Sequence, residues 1–273
     1  MAAEPLRLGG VPEHVNYPWH LARASDALAD VATTWEDQFG GTGEMVAKLE
    51  SGDLDLVSIL TEGTVSALDR GLPVTILQVY VSSPLRWGVY VPAASRFGSE
   101  GELAGARIAI SRNGSGSHLM AYIHARAQGW SIDPEQFVVV GGLDGAVESF
   151  AAGDTDLFLW DQYMTRPLVD GGAFRQLGTQ ETPWPSFVVA ARTEVLRART
   201  AEVGRVVDAV VDEAVALHAR RGVIEELSGH YGLTSETVGS WLDVTAFQPR
   251  TAFDPGIADA VRKTLSTAGF AGP

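Results

Sequence analysis

One short segment of this sequence gathers the groups that hold an anion. It runs Ser111-Arg112-Asn113-Gly114-Ser115-Gly116-Ser117-His118. The two glycines free backbone N–H groups, the serines supply hydroxyls, and Arg112 supplies a fixed positive charge. At the start of a helix such groups can bind a carboxylate, a sulfonate or a phosphate. The alternative is that a serine only caps the helix and that Arg112 faces solvent.

Other loops carry side chains that could hold or transform a small molecule. The carboxylates of Glu44, Glu62 and Asp161 could bind an N–H group or exchange protons, although helix termini and surfaces also carry such carboxylates. Trp160 could stack on a planar ligand, but a single tryptophan more often belongs to a core. The predicted ligand-binding residues are His14, Asn16, Gly41, Thr42, Gly43, Thr61, Glu62, Arg112, Asn113, Ser115, Gly116, Ser117, Trp160 and Asp161.

The sequence lacks the residues that several kinds of chemistry require. The chain has no cysteine, which removes disulfides, thiolate zinc sites and cysteine nucleophiles. Its histidines do not have the spacing of two metal ligands on one helix face, and neither a P-loop nor a Gly-x-Ser-x-Gly elbow occurs. We therefore expect no metal, no cofactor and no catalytic residue, and the sequence favours binding over catalysis.

The charge balance restricts the partners. The net charge is −14, the pI is about 4.8 and no basic cluster occurs, so we expect no binding to nucleic acid. No apolar run is long enough to span a bilayer, so we expect no membrane insertion. The first residues show no basic region followed by an apolar stretch, which predicts a cytoplasmic protein. The alternative is a periplasmic or other extracytoplasmic protein whose leader has been removed. We expect a bacterial monomer.

Short apolar runs alternate with helical patterns along most of the chain. These runs are rich in Val, Ile and Leu without clean alternation, which is typical of strands buried on both faces. Strands that alternate with helices indicate an α/β fold with mostly parallel sheets. The predicted strands are 6–9, 32–35, 54–59, 74–81, 88–91, 107–110, 137–140, 157–160 and 187–191.

An internal repeat divides the chain. Residues 40–56 align with residues 141–157 at a constant offset of 101, and seven of 17 positions are identical. Each copy reads as a glycine turn, a helix, a Gly-Asp-x-Asp turn and an apolar strand. Gly52 and Gly153 stand where a helix needs a left-handed C-cap. The repeat predicts two similar α/β lobes, and the alternative is two unrelated αβ units that share turn chemistry.

The lobes can be bounded from the extended segments. Residues 78–91 read as a long strand broken at Ser82-Ser83-Pro84, which suits a first crossing between lobes. The stretch Thr182-Pro183-Trp184-Pro185-Ser186 suits the return. Lobe one is therefore predicted as 1–89 plus 184–273, and lobe two as 90–183. A helix with apolar residues at helical spacing from Val203 to Leu217 should pack on lobe one.

Two stretches resemble a known family. Residues 103–112, running on to Ser117-His118-Leu119-Met120-Ala121, are similar to the second-lobe opening of nitrate/sulfonate/taurine-type substrate-binding proteins, which belong with the thiamine-pyrimidine synthase-like superfamily. Residues 41–45 and 49–56 resemble the first-lobe helix and strand of the same family. The resemblance implies the type II periplasmic binding protein fold, in which two Rossmann-like lobes are joined by a two-strand hinge. It also implies that the lobes close over a small anionic or heterocyclic solute, which is often delivered to an ABC transporter permease. By position, the loops at His14, Thr42, Thr61, Ser115 and Trp160 would line the pocket.

The same superfamily offers two alternatives. One is a cytosolic enzyme of thiamine-pyrimidine or menaquinone type, with Glu44, Glu62, Asp161 or His118 as acid and base. Pyridoxal phosphate chemistry of the thiamine-pyrimidine type needs a lysine and a cysteine-rich motif. This chain has no cysteine, and its two lysines, Lys48 and Lys263, are predicted in mid-helix and near the C-terminus. The other alternative is an intracellular ligand sensor that signals to a protein partner.

Overall fold

The computed structural model describes residues 4–267, so the first three and the last six residues of the predicted lobe one lie outside the described part. The chain forms two compact units. Unit 1 comprises Met1–Ser83 and Trp184–Asp259, and unit 2 comprises Pro84–Pro183 and Ala260–Pro273. The chain thus passes into unit 2 after Ser83 and returns after Pro183. Both passages fall in the Pro-rich segments that the sequence analysis singled out.

The elements follow one another in mostly alternating order. The strands are β1 (Leu6–Gly10), β2 (Thr33–Asp37), β3 (Leu56–Leu60), β4 (Val74–Val81), β5 (Arg86–Pro92), β6 (Ile108–Ile110), β7 (Phe137–Val139), β8 (Leu157–Asp161), β9 (Phe174–Glu181) and β10 (Phe187–Arg192). The helices are α1 (Tyr17–Ala24), α2 (Gly41–Ser51), α3 (Thr61–Asp69), α4 (Gly116–Gln128), α5 (Leu143–Ala152), α6 (Arg166–Asp170), α7 (Thr193–Ala198), α8 (Thr200–Ala216), α9 (Val223–Tyr231), α10 (Ser235–Val244) and α11 (Pro255–Thr267).

Unit 1 is built on a five-stranded sheet with the order β2-β1-β3-β10-β4. β1 runs parallel to β2 and β3, and β10 runs antiparallel to β3 and β4. β3 is buried along nearly its whole length, as expected of a central strand with helices on both faces. Met45 and Leu49 of α2 pack against Val57 and Ile59 of β3, which places the start of α2 beside the carboxyl ends of these strands.

The C-terminal helices belong to unit 1 for most of their length. The residues predicted to mark the apolar face of α8 are buried, and α8 packs against α1. Burying this face stabilises the unit by roughly 1.5–3 kcal/mol for each large aliphatic side chain. Among residues 4–267, no helix has both the length and the apolarity that a membrane crossing requires.

Unit 2 repeats the same scheme with the strand order β7-β6-β8-β5-β9. β6 runs parallel to β7 and β8, and β5 runs antiparallel to β8 and β9. Tyr90 of β5 and Phe158 of β8 lie in the core with Phe150 of α5. In both units the fourth strand in the sheet order directly follows a passage of the chain between units, and it runs antiparallel to its neighbours.

The sequence prediction missed one strand. β9 pairs antiparallel with β5 at the edge of the sheet, and its residues are mostly half-buried. Its sequence, Phe-Arg-Gln-Leu-Gly-Thr-Gln-Glu, lacks the Val and Ile enrichment on which the other strands were recognised. An edge strand needs only one apolar face, so its pattern is weak.

The internal repeat corresponds to equivalent elements in the two sheets. α2 ends at Gly52 with φ +85° and leads into β3, whereas α5 ends at Gly153 with φ +73° and leads into β8. Both glycines therefore adopt the left-handed conformation that a side chain would strain. The two copies occupy matching places in two sheets of the same order.

Candidate functional site

The predicted binding residues lie at the carboxyl ends of parallel strands, where open α/β sheets bind ligands. They form two groups, one in each unit. The unit 1 group is His14, Asn16, Gly41, Thr42, Gly43, Thr61 and Glu62, and the unit 2 group is Arg112, Asn113, Ser115, Gly116, Ser117, Trp160 and Asp161. Each group is described within its own unit.

In unit 2, a serine network fixes the loop between β6 and α4. Ser115 is the N-cap of α4, and its Oγ accepts a hydrogen bond from the His118 N–H at 3.3 Å. The Ser117 Oγ accepts the Ser111 N–H at 3.0 Å and lies 3.0 Å from the Ser115 Oγ. Both hydroxyls are buried and shape the loop itself. This is the capping role that the sequence analysis gave as the alternative.

The side chain of His118 reinforces the same loop. Its Nδ1 accepts the Gly114 N–H at 3.0 Å, so in the neutral ring the proton is on Nε2. Burial lowers the pKa of His118, which favours this neutral form. The ring packs edge-on against Phe137 with centroids 4.4 Å apart. His118 is therefore a structural member of the α4 start.

The loops that lead into α4 and α5 are joined by a hydrogen bond. The Gly141 N–H donates to the Ser111 carbonyl at 3.1 Å, directly after the pairing of Val140 N–H with the Ile110 carbonyl at 2.8 Å. At Gly145, in the first turn of α5, a Cβ would lie 1.8 Å from the Val140 carbonyl oxygen, so only glycine fits there. Two helix N-termini thus lie at one edge of the sheet, and their partial positive charges favour an anion.

Arg112 adds a full positive charge to this edge. It is half-buried, and burial lowers the pKa of its guanidinium from the usual 12.5. The group nevertheless stays protonated near neutral pH, because a guanidinium pKa starts so far above it. Its neighbour Asn113 is exposed. Arg112 thus lies in the loop between β6 and α4, at the same edge of the sheet as the two helix starts.

Trp160 and Asp161 are the last two residues of β8, and each contacts residues that are near to it in the sequence. The Asp161 Oδ1 accepts the Tyr163 and Met164 N–H groups, both at 2.8 Å, and so holds the turn that leads to α6. Burial raises the pKa of the Asp161 carboxyl. Trp160 is half-buried and stacks on Phe158 with centroids 5.1 Å apart. The structure therefore gives both residues a local packing or capping partner.

In unit 1, the starts of α2 and α3 touch. A Cβ on Gly63 would lie 2.2 Å from the Thr42 Cγ2, so the absence of a side chain at Gly63 lets Thr42 approach α3. Gly41 has φ +63°, which only glycine adopts without strain. Glu44 instead turns back on its own helix, where its Oε2 accepts the Gly40 N–H at 2.7 Å and its Oε1 pairs with Lys48 at 3.0 Å. Glu44 is thus a helix-terminal carboxylate.

Glu62 is the buried carboxyl of this group. Its Oε2 accepts the indole N–H of Trp184 at 2.9 Å, whereas its buried Oε1 has no hydrogen-bond partner. Burial raises the pKa of Glu62 to about 7, against the opposing effects of its own backbone N–H and of Trp184. Thr61 ties the same helix start to the neighbouring segment, since its Oγ1 donates to the Pro185 carbonyl at 2.6 Å.

His14 and Asn16 form a short 3-10 turn after β1. His14 is buried edge-on against Trp241, with centroids 4.3 Å apart, and burial lowers its pKa to about 3. Asn16 is fully buried; its Nδ2 donates to the Val11 carbonyl at 2.7 Å, and its Oδ1 has no partner. A Cβ on Gly10 would lie 2.5 Å from the Asn16 Nδ2, so that glycine makes room for the amide.

Two residues outside the predicted set shape these groups. Gly63 has no side chain and so leaves room for Thr42, and Trp184 donates a hydrogen bond to Glu62. The sequence analysis named Trp184 only as part of the return segment between the lobes, and nothing in the local pattern linked it to a residue 122 positions away. Within residues 4–267, no group of three His, Asp or Glu side chains is arranged to hold a metal ion.

The strand orders of the two sheets define the class of fold to which the protein belongs. Two five-stranded sheets, each with one antiparallel strand in fourth place, make the type II periplasmic binding protein fold, as the sequence resemblance implied. The model of the Ca3427-like PBP family matches residues 87–180. The predicted likeness in fold to periplasmic binding proteins is confirmed.

Solved structures give the degree of similarity. The Candida albicans CA3427 gene product, described as defining a new family with the generic periplasmic binding protein fold, is 26% identical with a TM-score of 0.91, over 99% of this chain and 92% of that one. The alkanesulfonate-binding protein SsuA from Xanthomonas axonopodis pv. citri, bound to MOPS, is 21% identical with a TM-score of 0.82, over 100% and 96%. PhnD1 from Prochlorococcus marinus, in complex with methylphosphonate, is 12% identical with a TM-score of 0.61, over 97% and 98%. No curated protein matches this chain in sequence.

Proposed function

We propose that this chain is a solute-binding protein that captures a small anion at the α4 and α5 starts of unit 2. The observation that carries the proposal is the hydrogen bond from Gly141 to Ser111, which joins the loops that lead into α5 and α4, with the half-buried Arg112 next to Ser111 in the sequence. Backbone N–H groups at helix starts and an arginine are the groups that recognise carboxylates, sulfonates and phosphonates. The names of SsuA and PhnD1 point to the same ligand chemistry.

The charge distribution supports the choice of unit 2. Of the chain's 34 acidic residues, 23 lie in unit 1 against 11 basic ones, whereas unit 2 holds 11 acidic and nine basic residues. Unit 1 therefore has a net charge of −12 and unit 2 of −2. An anion meets far less repulsion at unit 2.

Three of the four candidate acids and bases are engaged in their own loop, turn or helix, which supports binding over catalysis. Glu62, whose buried Oε1 has no hydrogen-bond partner, is the exception. Asp161 holds its own turn, Glu44 caps its own helix, and His118 accepts a hydrogen bond from its own loop. A catalytic acid or base needs an atom available to the reacting group. Delivery of the solute to an ABC transporter permease, closure of the two lobes over it and the cellular location stay predictions.

A thermal-shift comparison tests the proposal. Methanesulfonate, methylphosphonate and acetate would each be compared with an uncharged analogue of similar shape, dimethyl sulfone or acetamide. We expect at least one anion to raise the melting temperature in a concentration-dependent way while its neutral analogue does not. Equal shifts with the neutral analogues, or no shift with any of these anions, would contradict the proposal.

A further inference from the structure

A histidine side chain is bonded to the backbone of the loop between β6 and α4. The Nδ1 of His118 accepts the Gly114 N–H at 3.0 Å, and the backbone N–H of His118 donates to the Ser115 Oγ at 3.3 Å. Gly114 has φ +75°, the left-handed conformation that favours glycine. A residue in the first turn of α4 therefore holds the turn that leads into the same helix.

Only a neutral imidazole can make this bond, because both ring nitrogens of an imidazolium are donors. Protonation of His118 turns its Nδ1 into a donor and so releases the Gly114 N–H. It also places a positive charge in the first turn of α4, where the helix dipole disfavours a cation. Burial of the half-buried ring opposes the charge as well, and it lowers the pKa of His118.

A bound anion would reverse this balance. The released Gly114 N–H and the new Nδ1–H of His118 are both donors, and the imidazolium adds a charge that attracts the anion. Hydrogen bonds between ionised groups are stronger than those between neutral ones. Proton uptake and anion binding then favour each other, because the coupling free energy between two sites is reciprocal.

The rings around His118 hold it in place. Tyr122 of α4 lies 5.4 Å from it and Phe137 of β7 lies 4.4 Å from it, measured between ring centroids. The titratable and charged groups in the surrounding elements are Tyr122, Asp133, which acts on Tyr122, Arg112 in the loop and Asp144 in the first turn of α5. Arg112 already gives the loop one fixed charge, and His118 can add a second one that depends on pH.

We propose that His118 is a positioning residue of the anion site, which holds the Gly114 N–H while it is neutral and releases it to a bound anion when it is protonated. This inference rests on the proposed function and adds a regulation of the same site. Anion binding is coupled to the uptake of a proton by His118, so the affinity for an anion rises as the pH falls.

Isothermal titration calorimetry at two pH values tests this coupling. Methanesulfonate and trifluoroacetate are the probes, because both stay ionised between about pH 5.5 and about pH 8, where histidines titrate. We expect the affinity of the wild-type protein for at least one probe to rise by about fivefold or more from about pH 8 to about pH 5.5. His118→Asn keeps an acceptor oxygen for the Gly114 N–H and cannot take up a proton.

The variant separates His118 from other groups that gain protons in this range. Asp161, for example, is a buried carboxyl whose pKa is raised to about 6, and its protonation also favours an anion. We expect His118→Asn to match the wild-type affinity at about pH 8 and to gain about twofold at most at about pH 5.5. His230→Asn, the same change at an exposed histidine of unit 1, should keep the wild-type rise.

The outcomes separate the two proposals. If a probe binds and its affinity rises equally in the wild type and in His118→Asn, or rises in neither, the inference is wrong while the anion-binding function stands. If neither probe binds at any pH, the inference fails, and the thermal-shift comparison decides the proposed function separately.

A second measurement needs only the wild-type protein and covers a His118→Asn variant that does not fold. Nuclear magnetic resonance of the His118 ring gives its tautomer and its pKa with and without methanesulfonate or trifluoroacetate. We expect the proton of the neutral ring on Nε2, and a pKa that rises when the anion is bound. A proton on Nδ1, or a His118 pKa that a saturating anion leaves unchanged, would overturn the inference.

Discussion

Arg7 and Asp55 form a two-point ion pair that has a counterpart in the other unit. The Arg7 Nε and Nη2 donate to the Asp55 carboxylate at 3.0 and 2.8 Å, and the Arg7 backbone N–H adds a third bond at 2.9 Å. Arg107 and Asp156 reproduce all three bonds, in the same order, at 2.9, 3.0 and 3.0 Å. In unit 1 the pair joins the start of β1 to the Gly-Asp-x-Asp turn before β3, and in unit 2 it joins the residue before β6 to the equivalent turn before β8. The pair fixes the register of neighbouring strands. The positions of the strand ends, and therefore of the candidate binding residues, depend on that register.

Removing the charge of Asp55 should cost more stability than removing that of Asp156. The Asp55 side chain is 5% exposed and the Asp156 side chain 29% exposed, so water can replace the lost bonds more readily at Asp156. We expect Asp55→Asn to lower the free energy of unfolding by about 2–3 kcal/mol and Asp156→Asn by about 1 kcal/mol. Urea unfolding of the two variants checks this. A larger loss for Asp156→Asn would show that the buried pair does not hold the register.

His14 should make the protein more stable as the pH rises from acid. Its pKa is lowered by burial from 6.5 to about 3, so the unfolded chain binds a proton that the folded protein excludes. The stabilisation is complete above about pH 6.5 and is lost as the pH falls toward 3, by roughly 5 kcal/mol in total. Subtracting the stability of His14→Gln from that of the wild type at each pH isolates this slope. A flat difference curve over that window would be inconsistent with a buried neutral imidazole.

Glu62 should act in the opposite direction. Its pKa is raised by burial from 4.5 to about 7, so the folded protein holds a proton that the unfolded chain has released. Its contribution is fully present below about pH 4.5 and is lost as the pH rises through 7, by roughly 3 kcal/mol. The wild-type minus Glu62→Gln difference should therefore fall over this range, while the Trp184 N–H keeps an acceptor. Because the two slopes oppose each other between about pH 4.5 and 6.5, only the single variants reveal them. A difference curve that rises with pH would refute the assignment.

The contact between Thr42 and Gly63 can be tested by a double change. Gly63→Ala places a methyl group against the Thr42 Cγ2 and should cost about 1–3 kcal/mol through overpacking. Thr42→Ser removes that Cγ2. In the Thr42→Ser background we expect Gly63→Ala to be neutral or to stabilise by up to about 1 kcal/mol, since alanine favours a helix over glycine. Thermal unfolding of all four proteins measures the coupling. Additive effects would mean that the two helix starts do not touch.

Some of this architecture was predictable from sequence, because it depends on local chemistry. The glycine C-caps at Gly52 and Gly153 and the apolar face of α8 could be recognised without any knowledge of the fold. The repeat identified Asp55 and Asp156, but their partners Arg7 and Arg107 lie at an offset of 100 and outside the aligned segment. β9 was missed because a polar edge strand resembles a loop.

The candidate site was only partly predictable. Residue types indicated which loops could meet an anion, but not which side chains are already engaged. Ser115 and Ser117 bond to their own loop, and Glu44 bonds to its own helix start. The partnership of Glu62 with Trp184 joins residues 122 positions apart, and only the tertiary fold shows it. In the sequence, residues that could bind a ligand therefore cannot be distinguished from residues that stabilise a turn.

The most direct test of the anion site is the affinity of Arg112→Gln. Methanesulfonate and methylphosphonate would be titrated calorimetrically into the wild type, into Arg112→Gln, and into Arg96→Gln as a control at an exposed arginine of the same unit. Loss of a charge-assisted contact predicts an affinity at least about tenfold weaker for Arg112→Gln and unchanged for Arg96→Gln, with the wild-type affinity falling as salt is added. Wild-type affinity in Arg112→Gln would contradict the account.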